Sequence, residues 1–323
     1  MNKQECISIV VPCYNEKESI GIFDQKLREI IRSTKDYSFE VLYVDDGSTD
    51  GTLCIMEEIA EKHEETYFLS FSRNFGKEQA IYAGLQFSRG DYVVLMDGDL
   101  QHPPEKIHEM IHAVAREGYD VAATCRSERK DRASAYNIWA GMFYRLFNAF
   151  SEVRLKEGAQ DFRLMRRSVV EAVLSMKESN RFSKGIFEWV GFSTKWIENE
   201  DCTRVAGKTK WSFSTSFQYA LDGILSFSKP PFRTLLVVGG LLTAVSLLFF
   251  LGLLAGLLFK GEEQGVLTLV VLWLSLIGGV LIASIGLVGE YVWRIHGQSK
   301  GRPMYIIKKT NWKRGEEHET FEE

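Results

Sequence analysis

The chain has 323 residues, which is enough for one large domain or two. Its formal net charge is -4 at pH 7, so the composition has no overall basic character and argues against a nucleic-acid partner. The five cysteines are scattered and form no CxxC pair, which favours a reduced, cytosolic setting over a disulfide framework. No basic segment followed by a long apolar segment opens the chain, so we expect no signal peptide.

Strand-like apolar runs alternate with helical patterns from the N-terminus onward. The strand-like runs are Ile7 to Val11, Phe39 to Val44, Tyr67 to Phe71 and Tyr92 to Met96. Apolar residues recur at helical spacing from Ile20 to Ile31, from Leu53 to Ile59 and over about 77 to 88. This alternation predicts an α/β fold with a mostly parallel sheet that is covered on both faces.

The strand-like run that ends at Met96 leads into two aspartates, Asp97 and Asp99, separated by Gly98. Strand ends of open α/β sheets are where ligands bind. Two neighbouring carboxylates repel each other unless a cation lies beside them, and oxygen ligands favour Mg²⁺ or Mn²⁺. An Asp/Gly turn that caps the following helix is the alternative interpretation of this motif alone.

Polar clusters stand at three more predicted strand ends. They are Pro12 to Glu16, Asp45 to Ser48 and Gln160 to Arg163. Each cluster by itself is compatible with an ordinary turn or cap, because Asp, Asn and Ser form local hydrogen bonds there. Their occurrence together indicates one site built at a single edge of the sheet.

Two uncharged apolar stretches lie late in the chain, at about 234 to 259 and about 266 to 289. Each exceeds the roughly 20 residues that cross a bilayer as a helix. The six-residue connection KGEEQG is short, so we expect a hairpin with both flanks on one side. Basic residues in those flanks place that side in the cytoplasm by the positive-inside rule. They are Lys229, Arg233, Arg294, Lys300, Arg302, Lys308 and Lys309.

Two amphipathic stripes precede the apolar stretches. The first runs from Trp139 to Phe150, and the sequence leaves open whether it is a core helix or a helix at the membrane interface. The second runs from Phe213 to Leu225 and leads towards a predicted span, which favours an interfacial helix.

His108 to His112 spell HExxH, the spacing of a zinc protease. The apolar residues of the same helix put both histidines on its solvent-facing side, and no third ligand stands at a familiar spacing. We therefore expect two solvated histidines and no zinc site.

Four segments, VPCYNE, VDDGSTDGT, DGDLQHPPE and DFRLM, resemble the motifs of family 2 glycosyltransferases of GT-A fold. The later segment GEYVWRIHGQSKGRPMYII makes the chain similar to the polyisoprenyl-phosphate glycosyltransferases, which include bactoprenol glucosyltransferases and dolichol-phosphate mannose synthases. The resemblance covers nearly the whole chain. It implies a GT-A domain over 1–212, an interfacial helix over 213–232, two transmembrane helices within 233–290 and a cytoplasmic tail over 291–323.

The resemblance also implies roles for particular residues. Residues that contact the donor would be Pro12, Tyr14, Glu16, Asp46, Asp97, Gly98 and Arg126, with Asp46 beside the uracil. Asp99 and Gln101 would hold the divalent metal, Mg²⁺ or Mn²⁺. Asp161 would be a general base, or a carboxylate that orients Arg163 or the acceptor, or one that stabilises positive charge at the anomeric carbon. A basic loop before the membrane, with Arg204, Lys208 and Lys210, would bind the acceptor and the diphosphate.

The implied reaction transfers a sugar from a UDP-sugar to undecaprenyl phosphate with inversion, at the cytoplasmic membrane, for cell-envelope glycans or glycolipids. Glucose ranks first as the sugar, and N-acetylglucosamine and aminoarabinose derivatives remain open. We expect both termini in the cytoplasm, a homo-oligomer, and a flippase and a lipid-sugar-dependent transferase downstream.

Two other functions compete with this interpretation. A processive polysaccharide synthase shares the catalytic core, but the chain has no QxxRW motif and two spans make a poor channel. A non-catalytic membrane scaffold would not need the acidic positions, all of which are filled.

Overall fold

A computed structural model describes residues 4–126, 144–145, 147–149, 151–199, 223, 227, 239–242, 244–249, 251–252 and 264–312. The chain divides into two compact units. The first unit contains residues 1–148, 153–223 and 303–323, and the second contains residues 149–152 and 224–302.

Eight strands and six α-helices of the first unit have both ends among the described residues. The strands are β1 (Cys6–Cys13), β2 (Ser38–Asp45), β3 (Thr66–Phe71), β4 (Tyr92–Leu95), β5 (Val121–Arg126), β6 (Ala159–Arg166), β7 (Thr194–Asn199) and β8 (Ile307–Thr310). The helices are α1 (Ile20–Ser33), α2 (Thr52–Lys62), α3 (Lys77–Phe87), α4 (Lys106–Ile111), α5 (Arg167–Ser175) and α6 (Ser183–Trp189).

All eight strands form one sheet in the order β7-β5-β6-β4-β1-β2-β3-β8. The pairs of β1 with β2 and β4, of β2 with β3, and of β5 with β7 are parallel. Only β6 and β8 run against their neighbours. The prediction of a mostly parallel α/β sheet is therefore confirmed. The carboxyl ends of β1, β2, β4, β5 and β7 consequently share one edge of the sheet with the beginning of β6.

The central strands are apolar because both faces of the sheet are covered, as expected for a parallel sheet. The residues from Ile7 to Cys13 are all buried. On one face, α1 packs Ile20, Phe23 and Leu27 against them, and each of these side chains is fully buried. The helical spacing of these residues in the sequence therefore predicted which face of α1 packs against the core.

The last strand, β8, closes the free edge of β3 and lies outside the domain boundary predicted from the sequence. Asn311 continues the pairing, since its side chain accepts a hydrogen bond from Phe68 N and donates one to Thr66 O. The ring of Trp312 packs edge-on against Tyr67, with centroids 4.5 Å apart. The edge of β3 is therefore covered, and the short strand β8 becomes the last strand of the sheet.

The described residues of the second unit include α7 (Gln264–Ser299), a helix of 36 residues. Within it, Leu276–Ser299 is long and apolar enough to cross a membrane. The second predicted span, 266–289, falls inside α7, and the helix continues ten residues further. Most of the first predicted span, 234–259, lies outside the described residues. The described part of this span includes a shorter apolar helix, Gly239–Phe249. The two-span hairpin thus stays a prediction.

Most of the two amphipathic stripes also lies outside the described residues. Phe147 of the first stripe is fully buried, and its ring centroid is 5.8 Å from that of Phe182. At this position the stripe contributes to the core of the first unit.

The HExxH segment is exposed at both histidines. The α-helix ends at Ile111 and continues as a π-helical segment, His112–Arg116. His108 contacts the hydroxyls of Ser33 and Thr34, whereas His112 lies 3.1 Å from Glu117. The two histidines therefore have different partners, and the described residues contain no cluster of three or more His, Cys, Asp or Glu arranged for a metal.

Candidate active site

The register between β4 and β6 brings two of the predicted site residues face to face. Leu95 pairs with Arg163 in this antiparallel ladder. Continuing the same register by two residues places Asp97 opposite Asp161. The reversal of direction at β6 is what delivers Asp161, near the start of its strand, to the edge where β4 ends.

Lys77, the first residue of α3, joins these two carboxylates. Its Nζ lies 2.7 Å from Asp97 Oδ1 and 2.7 Å from Asp161 Oδ2. The lysine side chain is 34% exposed and that of Asp161 is 17% exposed. Both ionic contacts are therefore partly accessible to solvent, and a ligand bound at this edge of the sheet can reach them.

The charges in this cluster reinforce one another. Burial opposes ionisation of Asp161, but Lys77, Lys184 and Arg163 outweigh burial and hold the pKa of Asp161 well below its usual range. Burial likewise opposes protonation of Lys77, yet the two aspartates raise its pKa above its usual value. Asp161 is therefore a carboxylate and Lys77 an ammonium throughout the physiological pH range.

Asp46 positions the loop that carries Lys77. Its carboxylate accepts hydrogen bonds from the backbone N–H groups of Phe75, at 2.7 Å, and Gly76, at 3.0 Å. Burial raises the pKa of Asp46 to about 6, although these two amides partly oppose the shift. Gly47 permits the close approach of this loop, since a Cβ there would lie 2.4 Å from the carbonyl carbon of Arg73.

The loop after β1 is tied to the loop after β2. Asn15 has a left-handed backbone, with φ 51°, and its side chain accepts a hydrogen bond from Thr49 N. The backbone N–H of Glu16 donates to Thr52 Oγ1 at 2.8 Å. These contacts hold Pro12, Tyr14 and Glu16 at the same edge as Asp46.

The turn after β4 holds the residues predicted to bind a metal. Leu100 has φ 60°, and this tight turn lets Asp99 Oδ1 accept a hydrogen bond from Gln101 N at 3.1 Å. Gly98 packs against β1, since a Cβ there would meet Cys13 Sγ at 3.4 Å. Because Lys77 contacts Asp97, the oxygens of Asp99 and Gln101 are the donors that this turn offers to a metal. Such a pair fits Mg²⁺ or Mn²⁺ held mainly by substrate phosphates.

His102 lies buried beneath this turn. Its ring stacks on Phe162 with centroids 5.4 Å apart, and Nδ1 has no hydrogen-bond partner among the described residues. Burial lowers the pKa of His102. The neutral ring thus connects the turn after β4 to the strand that carries Asp161.

The structure brings most of the predicted residues to one edge. Those on the described edge are Pro12, Tyr14, Glu16, Asp46, Asp97, Gly98, Asp99, Gln101, Arg126 and Asp161. Arg126 ends β5 and is exposed. Arg204, Lys208 and Lys210 lie outside the described residues, and the strand before them ends at this edge with Asn199.

Sequence reasoning missed Lys77. Acidic clusters at strand ends pointed to the other site residues, whereas Lys77 stands at the start of a helix, after the loop that follows β3. The signal available in the sequence was a cationic residue six positions after the end of β3, which is close enough to lie at the same edge of the sheet.

Comparison with known proteins agrees with this geometry. The family described as "Glycosyl transferase family 2" matches residues 8–174. The chain is 38% identical over 310 residues to "Putative glycosyltransferase CsbB" of Bacillus subtilis, covering 96% of this chain and 93% of that protein. It is 39% identical over 306 residues to "SfII prophage-derived bactoprenol glucosyl transferase" of Shigella flexneri, covering 94% and 98%.

Among solved structures, mannosyl-3-phosphoglycerate synthase from Rubrobacter xylanophilus has a TM-score of 0.47 at 16% identity, over 68% of this chain and 72% of that one. The α/β sheet with its acidic carboxyl edge defines a GT-A-like glycosyltransferase. The chain belongs to glycosyltransferase family 2.

Proposed function

We propose that this enzyme transfers a sugar, glucose first among the candidates, from a UDP-sugar to undecaprenyl phosphate. The observation that carries the proposal is the cluster of Lys77, Asp97 and Asp161 at the carboxyl edge. The similarity to a bactoprenol glucosyl transferase over 94% of the chain supports a polyprenyl phosphate as acceptor.

The donor half of the site would use the loops after β1, β2 and β4. Pro12, Tyr14, Glu16 and Asp46 would hold the nucleoside, and Asp97 with Gly98 would contact the sugar and phosphates. Asp99 and Gln101 would hold Mg²⁺ or Mn²⁺. When bound, such a metal neutralises the negative charge that develops on the departing diphosphate.

The acceptor half needs little proton transfer. A phosphate monoester has a second pKa of about 6, so the acceptor is mostly dianionic near neutral pH. Asp161 is a poor proton acceptor because Lys77, Lys184 and Arg163 keep its pKa low despite burial. We therefore assign Asp161 to electrostatic stabilisation of the positive anomeric centre and to positioning. A single in-line displacement would invert the anomeric carbon.

A membrane location suits an acceptor that cannot leave the bilayer. The first unit includes residues on both sides of 224–302, so the chain leaves this unit and returns to it. A chain that starts and ends on one side of a membrane crosses it an even number of times. With one crossing in α7, the second would fall in the apolar stretch 234–259, which supports two spans with both termini on one side. The basic flanking residues favour the cytoplasm as that side.

The reaction is tested with membranes that contain the full-length protein, undecaprenyl phosphate and a panel of radiolabelled UDP-sugars. We expect one labelled sugar per extracted lipid phosphate with one preferred donor. A labelled polymer would favour a processive synthase instead. Absence of any transfer, with folded protein and all donors supplied, would contradict the proposal.

The topology is tested separately by reporter fusions after Lys260 and at the C-terminus. The two fusions should report opposite compartments if the hairpin spans the membrane twice. The same compartment for both would contradict the two-span arrangement and leave the transfer assay unaffected.

A further inference from the structure

A second lysine, Lys184, is held beside Asp161 by a contact between two helices. The carboxylate of Glu78 accepts hydrogen bonds from the backbone N–H of Ser183, at 2.9 Å, and from its hydroxyl. Glu78 directly follows Lys77 in the chain, and Ser183 directly precedes Lys184. One carboxylate thus fixes the relative positions of the two lysines that act on Asp161.

The surroundings of the two lysines differ. Lys77 contacts two carboxylates. Lys184 is partly buried, and its Nζ donates to the carbonyl oxygen of Ala159 at 3.0 Å. Within the described residues, Lys184 forms no ion pair. Lys184 therefore acts on Asp161 without a direct ion pair, and a partly buried ammonium with no carboxylate in direct contact favours binding of an anion from solution.

The reaction brings such an anion to this place. The attacking oxygen of a phosphate acceptor must approach the anomeric carbon, where Asp161 would stabilise positive charge. Ala159, which Lys184 contacts, stands two residues before Asp161 at the start of β6. Lys77 contacts Asp97 at the end of β4 as well as Asp161, whereas Lys184, among the described residues, donates its hydrogen bond to the strand that carries Asp161.

We propose that Lys184 binds the phosphate of the lipid acceptor and is part of the acceptor subsite. The inference rests on the proposed function for the identity of the acceptor. It places an acceptor-binding residue in α6, in addition to the basic loop that holds Arg204, Lys208 and Lys210. An ammonium there would attract the dianionic phosphate and align one of its oxygens beside Asp161.

The test uses full-length protein in detergent, with farnesyl phosphate as the probe and farnesol as its uncharged analogue. Binding is measured without donor, and transfer is measured with the preferred UDP-sugar. Lys184→Gln should weaken farnesyl phosphate binding and raise its KM by about tenfold to a hundredfold, the effect of losing one charged hydrogen bond. Lys184→Arg should stay within a few-fold of the parent because it keeps the charge.

Lys195→Gln is the matched control, since this lysine is also partly buried and pairs with Glu117 away from the edge. It should bind farnesyl phosphate like the parent. Lys184→Met, which keeps most of the aliphatic stem, replaces Lys184→Gln if the latter unfolds. Farnesol binding should be the same in all variants.

Unchanged binding of farnesyl phosphate in both neutral variants would overturn the inference, as would a rise in the donor KM alone. A parent protein that binds farnesyl phosphate through Lys184 but transfers no sugar would contradict the proposed function and leave the subsite standing. The binding measurement therefore separates the two failures.

Discussion

The ammonium group of Lys77 lies 2.7 Å from Oδ2 of Asp161, although the two residues are 84 positions apart in the sequence. The same ammonium contacts Asp97, so one cation holds together a residue predicted for donor binding and one predicted for catalysis. Asp46 in turn fixes the loop immediately before Lys77. Asp46, which is assigned to the nucleoside, and Asp97, which is assigned to the sugar and phosphates, are thus connected through the single loop that leads to Lys77.

Lys77→Gln and Asp161→Asn should each lower kcat by about 10²-fold, a typical loss for one preorganised charge. The double variant should lose only a few-fold more than either single one, because the two groups act as a unit. Steady-state kinetics of the four proteins measures this coupling. Lys106→Gln, which removes an exposed pair with Glu109, should combine additively with Asp161→Asn. If the losses in kcat of Lys77→Gln and Asp161→Asn were fully additive, the two residues would not act as a unit and their assignment to one cluster would be contradicted.

The rate defect of Asp161→Asn should stay constant with pH. The cations around Asp161 keep its pKa low despite burial, so the parent carboxylate is ionised throughout the measured range. We would measure kcat of parent and variant from about pH 5.5 to 8.5, a range that spans the second pKa of a phosphate monoester, about 6. A defect that shrinks towards high pH would identify Asp161 as a general base instead.

The donor KM should rise as the pH falls through about 6, because burial raises the pKa of Asp46 to about 6 and a protonated carboxyl holds the amides of Phe75 and Gly76 less strongly.

The effect of Asp46 on the stability of the fold has the opposite dependence on pH. The folded-state pKa lies above the ordinary value of 3.8, so the contribution of Asp46 to the free energy of unfolding decreases as the pH rises from 3.8 to about 6.

Asp46→Asn should show a high donor KM with little pH dependence over this range. Asp50→Asn is the control, since hydrogen bonds from Thr52 and Lys17 lower the pKa of Asp50 although burial opposes them. This control should keep the pH dependence of the parent. Donor KM values from about pH 5 to 7 test both statements, and a flat profile for the parent would remove Asp46 from donor binding.

Removal of divalent cations should abolish transfer, and added Mg²⁺ or Mn²⁺ should restore it. Asp99→Asn should lose about 10²-fold or more in activity and need a higher metal concentration, because it removes the anionic oxygen ligand. Metal titrations of EDTA-treated parent and variant give both numbers. Glu105→Gln, an exposed carboxylate in the same segment, should titrate like the parent. Near-normal turnover of Asp99→Asn in EDTA would refute the metal assignment.

Trp312→Ala should destabilise the first unit by about 3 kcal/mol, a typical cost for removing a buried aromatic side chain. The ring is 8% exposed and packs against Tyr67 and Phe87, while the guanidinium of Arg89 lies 3.8 Å from its centroid. Thermal unfolding of the full-length protein should show a lower Tm. Ile306→Ala, at a side chain 52% exposed, is the control and should unfold like the parent. Equal Tm values would mean that β8 contributes little to the sheet.

The sequence alone was sufficient for the class of fold and for most of the acidic residues that meet at the carboxyl edge of the sheet. Apolar periodicity reports which faces are buried, and this information is local, so β1, α1 and β2 could be predicted within a few residues. Asp46, Asp97 and Asp99 could be predicted because they stand directly after such strands. The prediction that Gln160 to Arg163 stand at the end of a strand is wrong, because they lie near the beginning of β6, and nothing local indicates that this strand runs against its neighbours. The role of Asp161 came from the resemblance to a family.

Only the tertiary structure decided which charges meet. The antiparallel register of β4 and β6 sets Asp97 against Asp161, and the start of α3 brings Lys77 between them. The pairing of β8 with β3 joins segments more than 230 residues apart. These contacts depend on sheet order, strand direction and register. Such properties arise from packing between distant segments, so the local pattern of any one segment does not contain them.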